Sequence, residues 1–536
     1  ISAIIEGTTG LTKAGAGTLI LSGANTYTGG TTISASSGTL IATTTSLSSN
    51  SLSSGAVSIG SGSTLQINNT NTINSDQTIS NTFSGAGSLI VNFAAGTTGR
   101  NTRITNVTGI TGTIRLANAG TTGDKWSINT AANISGASLI IDSGCQLYNA
   151  VSGTTTFGSI NVTGTGNSEN RGALRLQSGT LAGPVTFAGS TTIGAEGGTL
   201  SGTITSGAVG TQTLTIGTSN SNGSGTLSGA IGGGTGTIAL TKVNTGTLNL
   251  SGNSSYSGVT TISNGIIAIS HANALGSTEG NTIFTATGAS TGPQLRLSGG
   301  INSPENITIN GTTETSGFIS AILNSSGNNT LSGDITLANN TNGVRFGATA
   351  GNLTFSGNIS RTGTAQSLAF FASNGTNITV SNPIANGGGP LQIFNATQTT
   401  GTGTVTLSAA SGSGIGQTAV WQSGILKLGV NDALNTSANL QLGATTTTAG
   451  FDVGTFDLAG FNQTVNALVG SVNTSNSSAN TSRRIINSVA GTKTLTVGNG
   501  GGSGTFNGVM LTGTGDLALI KTGTGTQTLT GASTFT

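Results

Sequence analysis

Charge is what this chain lacks most. Of its 536 residues only 16 are Lys or Arg and 14 are Asp or Glu, 6% in all, against about 25% in an ordinary globular protein. The net charge of +2, spread over that length, offers no electrostatic footprint for a nucleic acid or an anionic membrane surface. A single cysteine, Cys145, excludes an intrachain disulfide and reads as a small buried hydrophobe with no basic neighbour to activate it. Five prolines and no Gly-X-Y period exclude collagen in spite of 90 glycines. With one histidine, His271, neither a histidine metal cluster nor a Ser-His-Asp triad can be assembled from recognisable parts. No apolar run is long enough for a membrane helix. The chain opens at Ile1 without a basic segment and apolar stretch, so it reads as a processed section of a longer chain that inserts into no membrane by itself.

What is present is polar, small and β-branched. Ser and Thr make up roughly a third of the residues. Segments such as Gly17 to Gly23, Gly246 to Gly252 and Thr492 to Gly498 alternate apolar and polar residues over three to five positions between glycines, the pattern of short strands with one buried face. Helix formers at 3.6 spacing are nearly absent. Strand-like triplets recur every 8 to 12 residues, and the pattern aromatic-or-Leu, Ser, Gly, any residue, Ile occurs at Leu200, Leu227, Leu331 and Phe355 with starts 27, 104 and 24 residues apart. A unit of roughly 20 to 27 residues follows, the length of one coil of a parallel β-helix. The expected fold is therefore all-β, a parallel β-solenoid stacked into an elongated rod. Stacking in register also accounts for the scarce charge, because a repeated Lys or Glu would place like charges one above another. Thr and Asn are neutral substitutes, and Asn at a turn can hydrogen-bond the Asn of the next coil.

A longer repeat is more specific. Leu11 to Ser34 reappears as Leu240 to Ser263, with Lys13, Gly17, Leu19, Leu21 and Tyr27 matched by Lys242, Gly246, Leu248, Leu250 and Tyr256. A third copy starts near Leu519 and runs through Lys521 and Leu529 to Phe535, in the place of Tyr27, before the chain stops. Copies thus lie near 11–40, 240–270 and 519–536, the last truncated, within what reads as one continuous solenoid over 1–536. Leu19 and Leu21 are expected to point inward, and Tyr27, Tyr256 and Phe535 to fill a corner of the coil. The motif, Lys-x-Gly-x-Gly-Thr-Leu-x-Leu-x-Gly followed by Asn-Thr-Tyr-Thr-Gly-Gly-Thr-Thr-Ile, resembles the passenger-associated transport repeat of bacterial autotransporters. Asn273-Ala274-Leu275-Gly276 and Asp457 to Val465 are similar to phrases of such passengers. The resemblance implies an extracellular right-handed β-helix, displayed on or released from a bacterial cell surface.

Motifs that carry chemistry are scarce. Asp452 and Asp457 are an odd number of residues apart, which puts them on opposite faces of a continuous strand, so a shared carboxylate site is not expected; a corner hydrogen bond suits Asp457. Gly500 to Gly504 is followed by Thr505 rather than by the Asp of a calcium coil. Arg100, Arg103 and Arg115, with Lys125 and Trp126 close behind, form the one basic cluster that could serve as an anion or glycan patch, a solvated face being the plainer reading. The expectation is a non-enzymatic extracellular structural protein, a stalk, adhesin shaft or surface fibre without cofactor or metal. Its partners would be further copies of itself, assembled into fibres or sheets, or glycans and proteins of a host or neighbouring cell. A polysaccharide-degrading β-helix is the rival from another class.

Overall fold

The computed structural model describes residues 1–44, 51–69, 76–93, 101–117, 125–285, 292–310, 320–338, 343–395, 402–443, 452–470 and 481–534. Its contacts divide into two compact units, Ile1–Thr261 with Ala274–Gly280, and Ile262–Asn273 with Asn281–Thr536. Both are parallel β-solenoids, and among the described residues there is no α-helix, only a 3-10 turn at Gly412–Gly414.

Strand formation follows from local chemistry. Thr39–Thr44, Thr64–Asn69 and Ser88–Phe93 each bury every second residue, as the two-residue period of a strand requires, and β-branched side chains suit that backbone. In the first unit these alternations stack into an inward column of Leu19, Leu40, Leu65, Leu89, Ile114, Leu139, Ile160, Val185, Ile204 and Ile231, each paired in parallel with the next. Steps between rungs run from 19 to 27 residues. In the second unit, Ile267, Leu295, Ile322, Phe346, Phe370, Ile393, Val420 and Leu442 form a comparable column. A further one runs through Leu353, Ile378, Val405, Leu426, Phe456, Ile485 and Met510. Each fully buried aliphatic rung contributes about 1.5–3 kcal/mol of transfer free energy, so the columns carry the stability.

The five-residue pattern stacks on itself. Leu200 pairs with Leu227 and Ile204 with Ile231; Leu331 pairs with Phe355 and Ile335 with Ile359. The glycine inside the pattern is a corner at which successive coils nearly touch. A Cβ on Gly229 would stand 2.0 Å from the Gly202 carbonyl oxygen, and one on Gly357 2.0 Å from that of Gly333, so only glycine fits.

Neutral ladders run along the outside. Asn377 donates to Asn352 Oδ1 at 2.9 Å and is itself bonded by Thr404. Asp334 Oδ1 accepts the Asn358 backbone and side-chain N–H groups at 2.8 and 3.0 Å, while Asn306 Oδ1 accepts the Asp334 N–H at 2.9 Å. The charges that do occur are paired across coils: Arg103 with Asp76, Arg115 with Asp142, Lys427 with Asp457 and Arg483 with Asp452. Residues about one coil apart in sequence thus meet with opposite rather than like sign.

Candidate functional site

The repeat coils were the most specific sequence feature, and they share one geometry. In each, a lysine folds back over the turn that follows it. Lys13 Nζ donates to the Gly15 carbonyl at 2.6 Å and to that of Ser37 at 2.5 Å. Lys242 Nζ donates to Val243 and Asn244, both at 2.6 Å, and Lys521 Nζ to Thr522 at 2.5 Å and Gly523 at 3.1 Å. The second residue after the lysine is left-handed in all three, Gly15 at φ 77°, Asn244 at 61° and Gly523 at 65°, which glycine and asparagine tolerate best. This bend turns two carbonyls toward the ammonium, and charge-assisted bonds of that kind contribute about 1.5–3 kcal/mol each. Lys242 is 0% exposed, and its burial pushes the amine down to about 8.

A second shared feature ties each copy to the coil before it. Asn25 Oδ1 accepts the Ile5 N–H at 2.8 Å, Ser254 Oγ that of Ile231 at 3.1 Å and Ser533 Oγ that of Met510 at 3.2 Å. The next residue returns the bond: Thr26, Ser255 and Thr534 donate their N–H groups to the carbonyls of Ile5, Ile231 and Met510. Tyr27 and Tyr256 are buried in the corner, each hydroxyl 2.6 Å from Thr31 Oγ1 and Thr260 Oγ1 respectively. Phe535 lies outside the described residues. Leu21, Leu248 and Leu250 are buried, whereas Leu19 and Leu529 are half-buried. A Cβ on Gly17 would meet nothing within 4 Å, but one on Gly246 would stand 2.3 Å from the Asn222 carbonyl oxygen of the coil beneath.

The arginines flagged as a patch are each held by a separate carboxylate. Arg103 bonds Asp76 at 2.8 Å and Arg115 bonds Asp142 at 2.9 Å; Arg100 lies outside the described residues. A denser cluster was missed. Glu169 pairs with Lys125 and, at 3.5 Å, with Arg175. Glu196 pairs with Arg175 at 3.1 Å and Arg171 at 2.5 Å. The Arg175 guanidinium also lies 4.1 Å from the centre of the Tyr148 ring, its partner in the strand register. Five of the chain's few charges thereby neutralise one another.

Asp452 is buried against Arg483, and Asp457 Oδ1 accepts the N–H groups of Ala459 at 2.8 Å and Ser488 at 3.0 Å, so these two acids serve different structural bonds. His271 Nδ1 accepts the Asn273 N–H at 3.1 Å in an exposed turn, and Cys145 is buried. Among the described residues no group of three or more His, Cys, Asp or Glu side chains could hold a metal ion, and no helix is long and apolar enough to cross a membrane.

The sequence model described as Passenger-associated-transport-repeat matches residues 11–42, 240–269 and 519–536. These are the coils built around Lys13, Lys242 and Lys521. No curated protein and no solved structure matches the chain. The chain is thus a β-solenoid repeat protein whose repeats are similar to those of autotransporter passengers.

Proposed function

We propose that this protein is a non-enzymatic structural β-solenoid of autotransporter-passenger type, an extracellular stalk, adhesin shaft or surface fibre. One observation carries the reading: the three passenger-type repeats share a lysine-capped turn and a reciprocal pair of bonds to the coil before, within a stack whose charges are spent on pairing its own coils. Such coils are locally well specified, which suits nucleation of a stack from which folding spreads to neighbours. The neutral Asn and Thr ladders suit lateral contact with further copies, since repeated identical rows match one another over every rung.

Negative-stain images of the purified chain test the proposal. Isolated rods support a stalk or shaft, ordered filaments or sheets support a self-assembling fibre, and globular particles would overturn both. The enzymatic rival is tested by a reducing-sugar assay on neutral and acidic polysaccharides. Turnover abolished by Glu169→Gln or Glu196→Gln, the two carboxylates that the fold brings to one arginine, would replace the structural reading with a catalytic one.

A further inference from the structure

A pocket of about 40 Å³ opens beside strands Asn101–Ile110 and Lys125–Ile128, with Arg103, Val107, Trp126, Ile128, Ala132 and Ile134 in its walls. By the space one water occupies, this is room for about three waters or a group of three to four heavy atoms. The aliphatic walls suit a methyl group better than bulk water.

Three polar atoms here have no partner. Trp126 is 1% exposed, and its indole N–H makes no hydrogen bond. Arg103 Nε is buried and unbonded, although Nη2 of the same guanidinium holds Asp76 at 2.8 Å. Asn101 lies two residues before Arg103, on the same face of the strand, and its Oδ1 is buried and unbonded while its Nδ2 donates to Asp76 at 2.9 and 3.0 Å. Buried polar groups are rarely left so in a folded protein. Asp76 already balances the Arg103 charge, so the missing partner is neutral. It must offer an oxygen to two N–H donors, an N–H or O–H to one amide oxygen, and a small apolar end to the wall. An acetamido group has each of these in four heavy atoms.

We propose that this pocket binds the acetamido group of an N-acetylhexosamine, with the half-exposed Asp76 carboxylate and Arg103 guanidinium at its rim meeting the sugar hydroxyls. Trp126 supplies the N–H to the acetyl oxygen, and the pocket selects acetylated over unsubstituted sugars. The site does not depend on the structural reading, because a solenoid shaft holds its shape with the pocket full or empty.

The chain has two tryptophans, so Trp421→Phe leaves Trp126 as the sole indole. Its fluorescence is titrated with N-acetylglucosamine, acetamide and glucose. A saturable change with N-acetylglucosamine, half-complete at a concentration at least tenfold below that for acetamide, and no saturable change with glucose, is the expected result. No saturable change with any of the three means that the pocket holds only ordered water, and an equal response to glucose removes the acetamido assignment; either overturns the proposal. Ala132→Leu, at the half-buried wall, should weaken the response at least tenfold with the circular dichroism unchanged, and an undiminished response in that folded variant would also overturn it. Saturation-transfer NMR on the acetyl methyl protons with the unmutated chain gives the same decision without altering Trp421: a transferred signal supports the site, and its absence counts against it.

Discussion

Two charged sites, one in each unit, show opposite ways of keeping charge in a stack of neutral coils. In the first unit Lys125, Glu169, Arg175, Glu196 and Arg171 share their charges over four ion pairs, and every member except Lys125 retains some contact with water. In the second, Arg483 is 0% exposed and is held by Asp452, 5% exposed, together with Asn507. The partly solvated group tolerates the loss of one member because water and the remaining partners can respond. The buried pair has no such reserve, and removing either half leaves a charge in a low-dielectric corner. Placement rather than the number of charges therefore decides what each one costs.

The largest effect is expected from breaking the buried pair. Asp452→Ala or Arg483→Met should each destabilise the second unit by about 3–5 kcal/mol, read as faster amide hydrogen exchange in strand Arg483–Ile486 and a lower denaturation midpoint. The double variant Asp452→Leu with Arg483→Met should recover most of that loss. No recovery would mean that Arg483 acts through its bonds to backbone and Asn507 rather than through Asp452.

Glu305 sharpens the comparison as a buried acid without a cation. It is 3% exposed, accepts a bond from Thr282 Oγ1 at 2.9 Å, and is pushed up to about 8 by burial. Between its ordinary value of 4.5 and about 8 the unfolded chain has released this proton while the folded chain keeps it. Stability should accordingly fall by a few kcal/mol as pH rises through that window and level off above it. Denaturation midpoints measured from pH 4 to 9 check this, and Glu305→Gln should flatten the slope.

The repeat lysines give a smaller, graded effect. Lys242→Met should cost about 1–3 kcal/mol by leaving two turn carbonyls unbonded, and Lys521→Met, at an exposed copy, less than half as much. Because the Lys242 amine is pushed down to about 8, the unfolded chain holds more protons than the folded one between about 8 and 10.5. The lysine-dependent part of stability should therefore rise with pH across that range and be absent from Lys242→Met. Smallest is the solvated cluster: Arg171→Gln, removing its outermost arginine, should cost about 0–1 kcal/mol and less in high salt. A loss as large as that of Asp452→Ala would erase the distinction between the two sites.

Much of the fold was legible because strand period and coil length are both written in the apolar positions. Leu200 and Leu227, or Leu331 and Phe355, recur at the coil length and stack one on another. The repeat was legible too, but the role of its lysine was not. Lys242 stands at an inward position of the alternating strand Thr237–Lys242, and that phase, with a left-handed residue two positions on, was the available signal. The cluster at Arg175 gave less warning. Its members lie up to 71 residues apart in sequence, and they meet only once the register places Arg175 beside Tyr148. Likewise, nothing in the alternation announces that Phe371, beside the inward Phe370, packs outside the main column with its ring over Gly347 and stacked on Phe394.

Composition and periodicity by themselves determined an all-β stack of short, uncharged coils with glycine at the corners, because a two-residue period inside a repeat of roughly 25 residues leaves few ways to bury one face of every strand. The tertiary structure alone decided which of the rare charges meet and which polar atoms are stranded. Coil length varies from one turn to the next, and a change of a single residue in that length rotates every later side chain to the opposite face of its strand.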